Sequence, residues 1–469
     1  MTSATLQHCD LFEGVSTKIL ACRHRFFKLR SSHTKCDDAT EVTVDETVGD
    51  LNESSTSFSL CTSVHFQSIS LHSRWNDSAG LCDLQEYNEE SNESFSYDVL
   101  DESFARDISD WNVLRILGEG AFGQVAQVKR KSQKEQSVRC YALKILSKYQ
   151  ILCDGQIEDV IAEKSLLKEA SAHPFIVKLR ASWQDANLIY MLQDFVQGGE
   201  LYSLMLHTDS DSFSTDSDRL PMKRALPESQ VQFYTACIAD ALHYLHRMCN
   251  IVYRDLKPEN VLLDSNGYPV LIDLGLAKQL AKENDYQSRT LCGTPRYVAP
   301  EQIQGLDHSF EVDYWALGVL VYEMLTGLHP FDDWDGRKDI ELYNSVTNDE
   351  YRSFPSEDMS ISEVAKDFIG GLLNKDPSYR LGSTSSSHKN PYLTSAVQDH
   401  QWLSSINESE LRERKIQAPW IPKLRNTEDA GMFDYWALSS HPSESLLNQR
   451  NYTSLTAKEQ ERFRAFDDC

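Results

Sequence analysis

The stretch Ile251–Gly275, IVYRDLKPENVLLDSNGYPVLIDLG, narrows what this chain can fold into more than any other part of it. Two short apolar runs, Val261–Leu263 and Val270–Ile272, read as strands and leave the polar residues to the loops around them. Asp255 is followed five residues later by Asn260 and thirteen further on by Asp273, which opens Asp273-Leu274-Gly275. An acid, an amide and a second acid at this spacing suit phosphoryl transfer, where positioning and charge neutralisation matter more than covalent chemistry. An ATP γ-phosphate is too anionic to be attacked readily, so a catalyst must offer Mg²⁺ ligands, a grip on the phosphates and a held hydroxyl. Asn260 and Asp273 are the candidate metal ligands, for Mg²⁺ or for Mn²⁺ in its place. Asp255 is the candidate acceptor of the substrate hydroxyl proton, and Lys257 the candidate stabiliser of the moving phosphoryl group. A plain polar loop between two strands is the alternative.

Upstream, LGEGAFGQV (Leu117–Val125) has glycines at 118, 120 and 123 between the strand-like pieces NVLRI and VAQVK. Dinucleotide folds use the same glycine spacing but continue into a helix, whereas here the strand YALKIL (Tyr141–Leu146) follows. Glycine lets such a hairpin close over phosphates, and Lys144 lies within reach of the α- and β-phosphates. That lysine needs a carboxylate to hold it. A helix expected from about Gln156 to Ala170 offers Glu158, Glu163 and Glu169, and Glu163 sits where the partner belongs.

With these motifs in place, the chain resembles a eukaryotic serine/threonine protein kinase from about residue 111 to its end. Tyr253 stands where the catalytic loop usually has histidine, and Leu274 replaces the usual phenylalanine after Asp273. YRDLKPEN, TLCGTPRYVAPE (Thr290–Glu301) and a tail ending in ERFRAF together resemble the AGC group. The resemblance implies an α+β, bilobal fold: a small lobe with an antiparallel sheet, a larger helical lobe, and ATP with Mg²⁺ in the cleft. It implies a nucleotide site made by Leu117, Gly118, Glu119, Gly120, Ala121, Phe122, Gly123, Val125, Ala142, Lys144, Asp194, Val196, Glu200 and Leu262, with Gln193 guarding the space behind adenine. It implies that Thr294 bonds Asp255 and Lys257, that Glu301 pairs with Arg380, and that Asp313 ties its helix to the catalytic loop. Glu200, Glu259 and Glu323 are the implied substrate-binding carboxylates, selecting basic residues ahead of the acceptor Ser or Thr. Thr290 is the implied activating phosphosite, modified by an upstream kinase and received by Arg254. In the tail, Phe433 is expected to approach adenine. Phe463 and Phe466 should fill a groove beside the helix carrying Glu163, and Asp467 stands where relatives carry a phosphorylated Ser or Thr.

Two helices read directly from periodicity. Val231, Tyr234, Ile238, Ala241, Leu242 and Leu245 recur at helical spacing, and EVDYWALGVLVYEMLTG (Glu311–Gly327) is apolar nearly all round, as a central buried helix must be.

Composition bounds the rest. A formal charge of −25 argues against nucleic-acid binding and suits basic peptide substrates. The eleven cysteines form no C-x-x-C pair, so neither a zinc site nor a disulfide framework is expected, and a reducing compartment follows. No run of about 18 apolar residues exists and no signal-peptide core opens the chain, so a cytoplasmic monomer is expected, with nuclear entry left open and no transmembrane segment. Residues 1–36 hold six Lys/Arg against two acids, and residues 37–110 two against eighteen. The expected division is therefore a largely disordered extension over 1–110 (basic 1–36, acidic 37–110), a kinase domain over 111–403 with an acidic insert at 207–219, and a tail over 404–469. A scaffold that keeps such a fold only for binding is the competing reading, and Lys144, Glu163, Asp255, Asn260 and Asp273 are all present to argue against it.

Overall fold

The computed structural model describes Phe104 and residues 106–120, 123–132, 139–206, 224–284, 286–332, 339–354, 361–383, 397–433 and 454–467. The expectations for most of the N-terminal extension, for the acidic insert and for Ala121 and Phe122 lie outside the described residues.

The chain order begins with β1 (Trp111–Gly120), β2 (Gly123–Arg130) and β3 (Cys140–Ser147), followed by α1 (Lys148–Cys153), α2 (Ile157–Ala170), β4 (Leu179–Gln184) and β5 (Leu188–Asp194). The five strands form one antiparallel sheet in the order β1-β2-β3-β5-β4. Its chemistry follows from the period-2 alternation of β3. Tyr141, Leu143 and Ile145 enter a core with Trp111, Ile116, Val128, Trp183 and Tyr190, while Ala142 and Lys144, half-buried, share the other face. The register sets Val125 opposite Lys144 and Gln193 opposite Ala142, so strand pairing alone brings these residues to one face. In α2, Val160, Glu163, Lys164 and Leu167 are buried at i, i+3, i+4 and i+7, and Glu158 and Asp159 in the first turn favour the helix dipole.

The helical part contains α3 (Leu201–Met205), α4 (Glu228–Met248), the short strands β6 (Ile251–Val252), β7 (Val261–Leu263), β8 (Pro269–Leu271) and β9 (Lys278–Gln279), then α5 (Pro300–Ile303), α6 (Glu311–Thr326), α7 (Asp339–Asn348) and α8 (Glu363–Leu372). β7 pairs with β8 and β6 with β9, so the polar residues of the opening stretch hang on two small two-stranded sheets. Every residue of α6 is buried, and it stops at Gly327, whose left-handed φ of 72° lets its amide cap the Glu323 carbonyl. The chain ends in α9 (Glu408–Arg412) and α10 (Ala457–Arg462).

Candidate active site

Lys144 is the point where sheet, helix and loop meet. Its ammonium lies 2.5 Å from Glu163 Oε1 and 3.5 Å from Asp273 Oδ1. Burial works against the charged lysine, but the Asp273 and Glu163 carboxylates overcome it and hold the amine above its usual range. Lys144 in turn keeps the half-exposed Asp273 carboxyl below its usual value, while burial pushes Glu163 up against the opposing pull of the lysine. Asp273 adopts a left-handed φ of 58°, rare for a residue with a Cβ, and accepts the Gly275 amide at 3.1 Å. A Cβ on Gly275 would press to 3.1 Å from that same Asp273 oxygen, so the glycine keeps the carboxylate where it is.

The loop after β6 supplies the second half. Asp255 Oδ2 accepts from Lys257 Nζ at 2.7 Å and from Asn260 Nδ2 at 2.7 Å, and its Oδ1 accepts from the Thr294 hydroxyl at 2.8 Å. Lys257 also donates to Thr294 at 2.9 Å. Turning its amide nitrogen to Asp255 directs the oxygen of Asn260 away from that carboxylate. The frame under this loop is Asp313, fully buried on α6: it accepts the backbone amides of Tyr253 at 2.8 Å and Arg254 at 2.7 Å, and His246 at 2.7 Å. A buried carboxylate on two amides and an imidazole is well satisfied, which is what permits its burial. A metal bound here would be offered two protein ligands, Asn260 and Asp273. That number suits Mg²⁺, which keeps phosphate and water in its shell and takes only one or two carboxylates from the protein.

The expected nucleotide residues that the structure describes lie on β1, β2, β3, β5 and β7 and just after β5. Gly118 pairs with Val125, Glu119 with Gln124 and Gly120 with Gly123 in the β1–β2 hairpin, beside half-buried Leu117. Val196 is buried and half-buried Glu200 bridges to Leu262 on β7. The Asp194 carboxylate is spent on Arg180, at 2.8 and 2.7 Å, and on Arg139 at 3.2 Å, and its backbone N–H donates to the Lys178 carbonyl at 3.1 Å.

Thr290 is exposed on the activation segment, and its amide donates to Ser288 Oγ at 3.4 Å. Arg254, also in a left-handed conformation with φ 64°, donates from Nε to the Leu276 carbonyl at 2.8 Å, while its Nη1 is buried with no partner. Glu301 and Arg380 form a buried bidentate pair at 2.6 and 2.9 Å, with the guanidinium 5.2 Å from the Trp315 ring.

Glu323 is enclosed. It does not face an open wall: it is fully buried, accepts the Tyr297 hydroxyl, and has Arg296 Nη2 at 3.8 Å. The physical reason is local, because Arg296 follows Thr294 by two residues and reaches back over α6, also pairing with Asp332. Glu200 and Glu259 remain half-exposed.

The tail packs on the small lobe. Phe463 and Phe466 are buried, with Lys148 Nζ 5.2 Å from the first ring and Lys164 Nζ 4.6 Å from the second. Lys164 also donates to the Phe466 carbonyl, and Gln184 donates to the Phe463 carbonyl at 3.1 Å and to Asp467 Oδ2 at 2.7 Å. A capping box between Thr456 and Glu459 starts α10 just before these rings. Further back, Phe433 stacks on Phe195 of the hinge at 5.8 Å, and Gln197 donates to the carbonyls of Asn426 and Asp429. The tail runs so close here that a Cβ on Gly199 would lie 2.3 Å from the Met432 carbonyl oxygen.

Sequence reasoning missed Lys148, Lys164 and Gln184 as tail receptors and Arg296 as the partner of Glu323. Only Arg296 had a signal, a cation placed two residues from the Thr294 that was already singled out.

The family model described as "Protein kinase domain" matches residues 111–403. Among known proteins, the serine/threonine-protein kinase sgk-1 of Caenorhabditis elegans is 38% identical over 321 residues, 68% of this chain and 62% of that protein. The serine/threonine-protein kinase Sgk1 of Bos taurus is 35% identical over 358 residues, 76% of this chain and 75% of that protein, and the one of Danio rerio is 36% identical over 326 residues, covering 70% and 67%. The chain thus spans less than two thirds of the nematode protein and two thirds or more of the other two. Among the described residues no helix is long and apolar enough to cross a membrane.

Proposed function

Because the chain belongs to the protein kinase family, in its AGC group of serine/threonine kinases, we propose how its own residues carry out and regulate that activity. It is a serine/threonine protein kinase acting on protein substrates. The observation that carries the reading of the site is the double contact of Lys144 with Glu163 and Asp273, which spans sheet, helix and loop.

ATP is the phosphoryl donor and Mg²⁺ the ion, with Mn²⁺ a permitted substitute. When bound, Mg²⁺ neutralises the phosphate oxygens that would otherwise repel an incoming hydroxyl. Asn260 and Asp273 are the residues to hold it, and the low pKa of Asp273 keeps that ligand ionised. Lys144, fixed by Glu163, grips the α- and β-phosphates beneath the Gly118–Gly123 hairpin. Asp255 receives the acceptor hydroxyl and its proton, in a position held by Asn260, Thr294 and Lys257. Lys257, bound to the same carboxylate, is placed to offset charge on the moving phosphoryl group.

Substrates carry basic residues ahead of the acceptor, drawn to half-exposed Glu200 and Glu259. Phosphate on Thr290, added by an upstream kinase, supplies the acceptor that the buried Arg254 Nη1 lacks. The enzyme works as a monomer in the cytoplasm, with nuclear entry left open. Purified protein assayed with Mg-ATP on an arrayed peptide library tests the substrate reading: indifference to upstream arginine, or the same preference in Glu200→Ala, sinks it. Asp273→Asn should abolish transfer, and Asp255→Asn should lose transfer while retaining ATP. Wild-type single-turnover rates in either variant would refute its role.

A further inference from the structure

Arg296 lies on the turn Pro295–Tyr297, directly after the threonine that bonds Asp255 and Lys257. Its guanidinium enters a pocket of carboxylates. Nη1 donates to Asp332 Oδ2 and Nη2 lies 3.8 Å from Glu323 Oε1, while its backbone carbonyl accepts from His329 at 2.8 Å. Glu323 is fully buried and the Asp332 side chain is 9% exposed, yet the arginine above them keeps 26% of its side chain in solvent. The Tyr297 hydroxyl closes the far side of Glu323, and burial together with the Glu323 and Glu259 carboxylates raises that phenol well above its usual range. Arg296 therefore stands between solvent and two acids. It fills the space that an incoming guanidinium would need, with the fork geometry that such a guanidinium would use.

We propose that Arg296 is an internal guanidinium that occupies an arginine subsite at Glu323 and Asp332, and so sets how many upstream arginines this kinase reads. The inference rests on the proposal that carboxylates beside the catalytic loop select basic residues. With Arg296 in place a substrate arginine aimed at Glu323 meets a like charge, and selection falls to Glu200 and Glu259. With Arg296 removed, a channel to two carboxylates opens beside the acceptor site, and an arginine-bearing substrate supplies the missing charge.

The test is a positional peptide library, with Arg or Ala at each position upstream of a fixed Ser, phosphorylated by the full chain. Wild type, Glu200→Ala, Arg296→Ala, Glu323→Gln and Arg296→Ala/Glu323→Gln are compared by kcat/KM. Arg296→Ala should gain arginine selectivity of about tenfold at a position where wild type is indifferent, since a charge-assisted pair is worth about that much. The added Glu323→Gln should erase the gain. An Arg296→Ala profile identical to wild type overturns the proposal. Should Arg296→Ala fail to fold by thermal unfolding, Glu323→Gln alone decides: an unaltered arginine profile supports the proposal, and loss of selection at any position overturns it. Failure of the Glu200 and Glu259 reading shows separately, as a wild type without upstream preference, and the gain in Arg296→Ala is scored independently of it.

Discussion

Lys164 and Phe466 are joined twice: the ammonium lies 4.6 Å from the ring centre and also donates to the residue's carbonyl. Lys164 is the neighbour of Glu163 on α2, so the helix that holds Lys144 through one residue holds the end of the tail through the next. Anchoring the tail and aligning the catalytic lysine are thus demands on one short helix.

Removing both rings, Phe463→Ala with Phe466→Ala, should depress activity strongly, because each buried phenylalanine contributes about 1.5–3 kcal/mol. Asp467→Ala should do less, since its partner is the neutral amide of Gln184. Thr290-phosphorylated protein cut after Glu461 decides the matter: unchanged turnover and Tm would show that the tail has no share in the working enzyme.

Thr290→Ala should be nearly inactive, because Arg254 would keep a buried Nη1 without an acceptor and the activation segment would lack its anchor. Full activity in protein shown by mass spectrometry to carry no phosphate at Thr290 would place the switch elsewhere.

Asp313→Asn should lower kcat and cost about 1–3 kcal/mol of stability, since an amide group set against two backbone N–H groups leaves one of them facing a donor. Urea unfolding read beside kcat checks both. A variant as stable and as fast as wild type would remove Asp313 from the frame of the loop.

Asp240, buried on α4, accepts from His173 at 3.1 Å and from Arg412 at 2.9 Å. Burial alone would raise this carboxyl, but those two bonds hold it below its usual value. The stability it contributes is therefore full above the unfolded pKa of about 3.9 and is lost as pH falls through the lower folded value. Asp240→Asn should be clearly less stable than wild type at neutral pH, with the gap narrowing below about pH 4. Urea midpoints across that range test it, and a gap independent of pH would contradict the assignment.

What the sequence made legible was what lies close along the chain or repeats with a period. The strand YALKIL brought Lys144 within reach of the phosphates, the expected helix offered Glu163 as its partner, and the apolar run of α6 announced a central helix. Illegible were the contacts that close large loops. Asp240 meets Arg412 across 172 positions and Lys164 meets Phe466 across 302, and neither residue type carries a local mark of its partner. What covers Glu323 was hidden for a related reason: its place on α6 was readable, but which cation would cover it depended on how the turn at Arg296 folds back.

The domain that the kinase family model matches stops at residue 403, and the packing that completes it does not. Tyr268 donates to the Ile416 carbonyl, Arg414 pairs with Asp264, and the Met432 carbonyl lies where Gly199 must have no side chain. The matched domain and the packed unit are thus of different lengths in one polypeptide. A chimera that exchanged residues 111–403 with those of a relative would import a surface shaped for someone else's strap, and glycine at 199 would be among the first residues to reveal the mismatch.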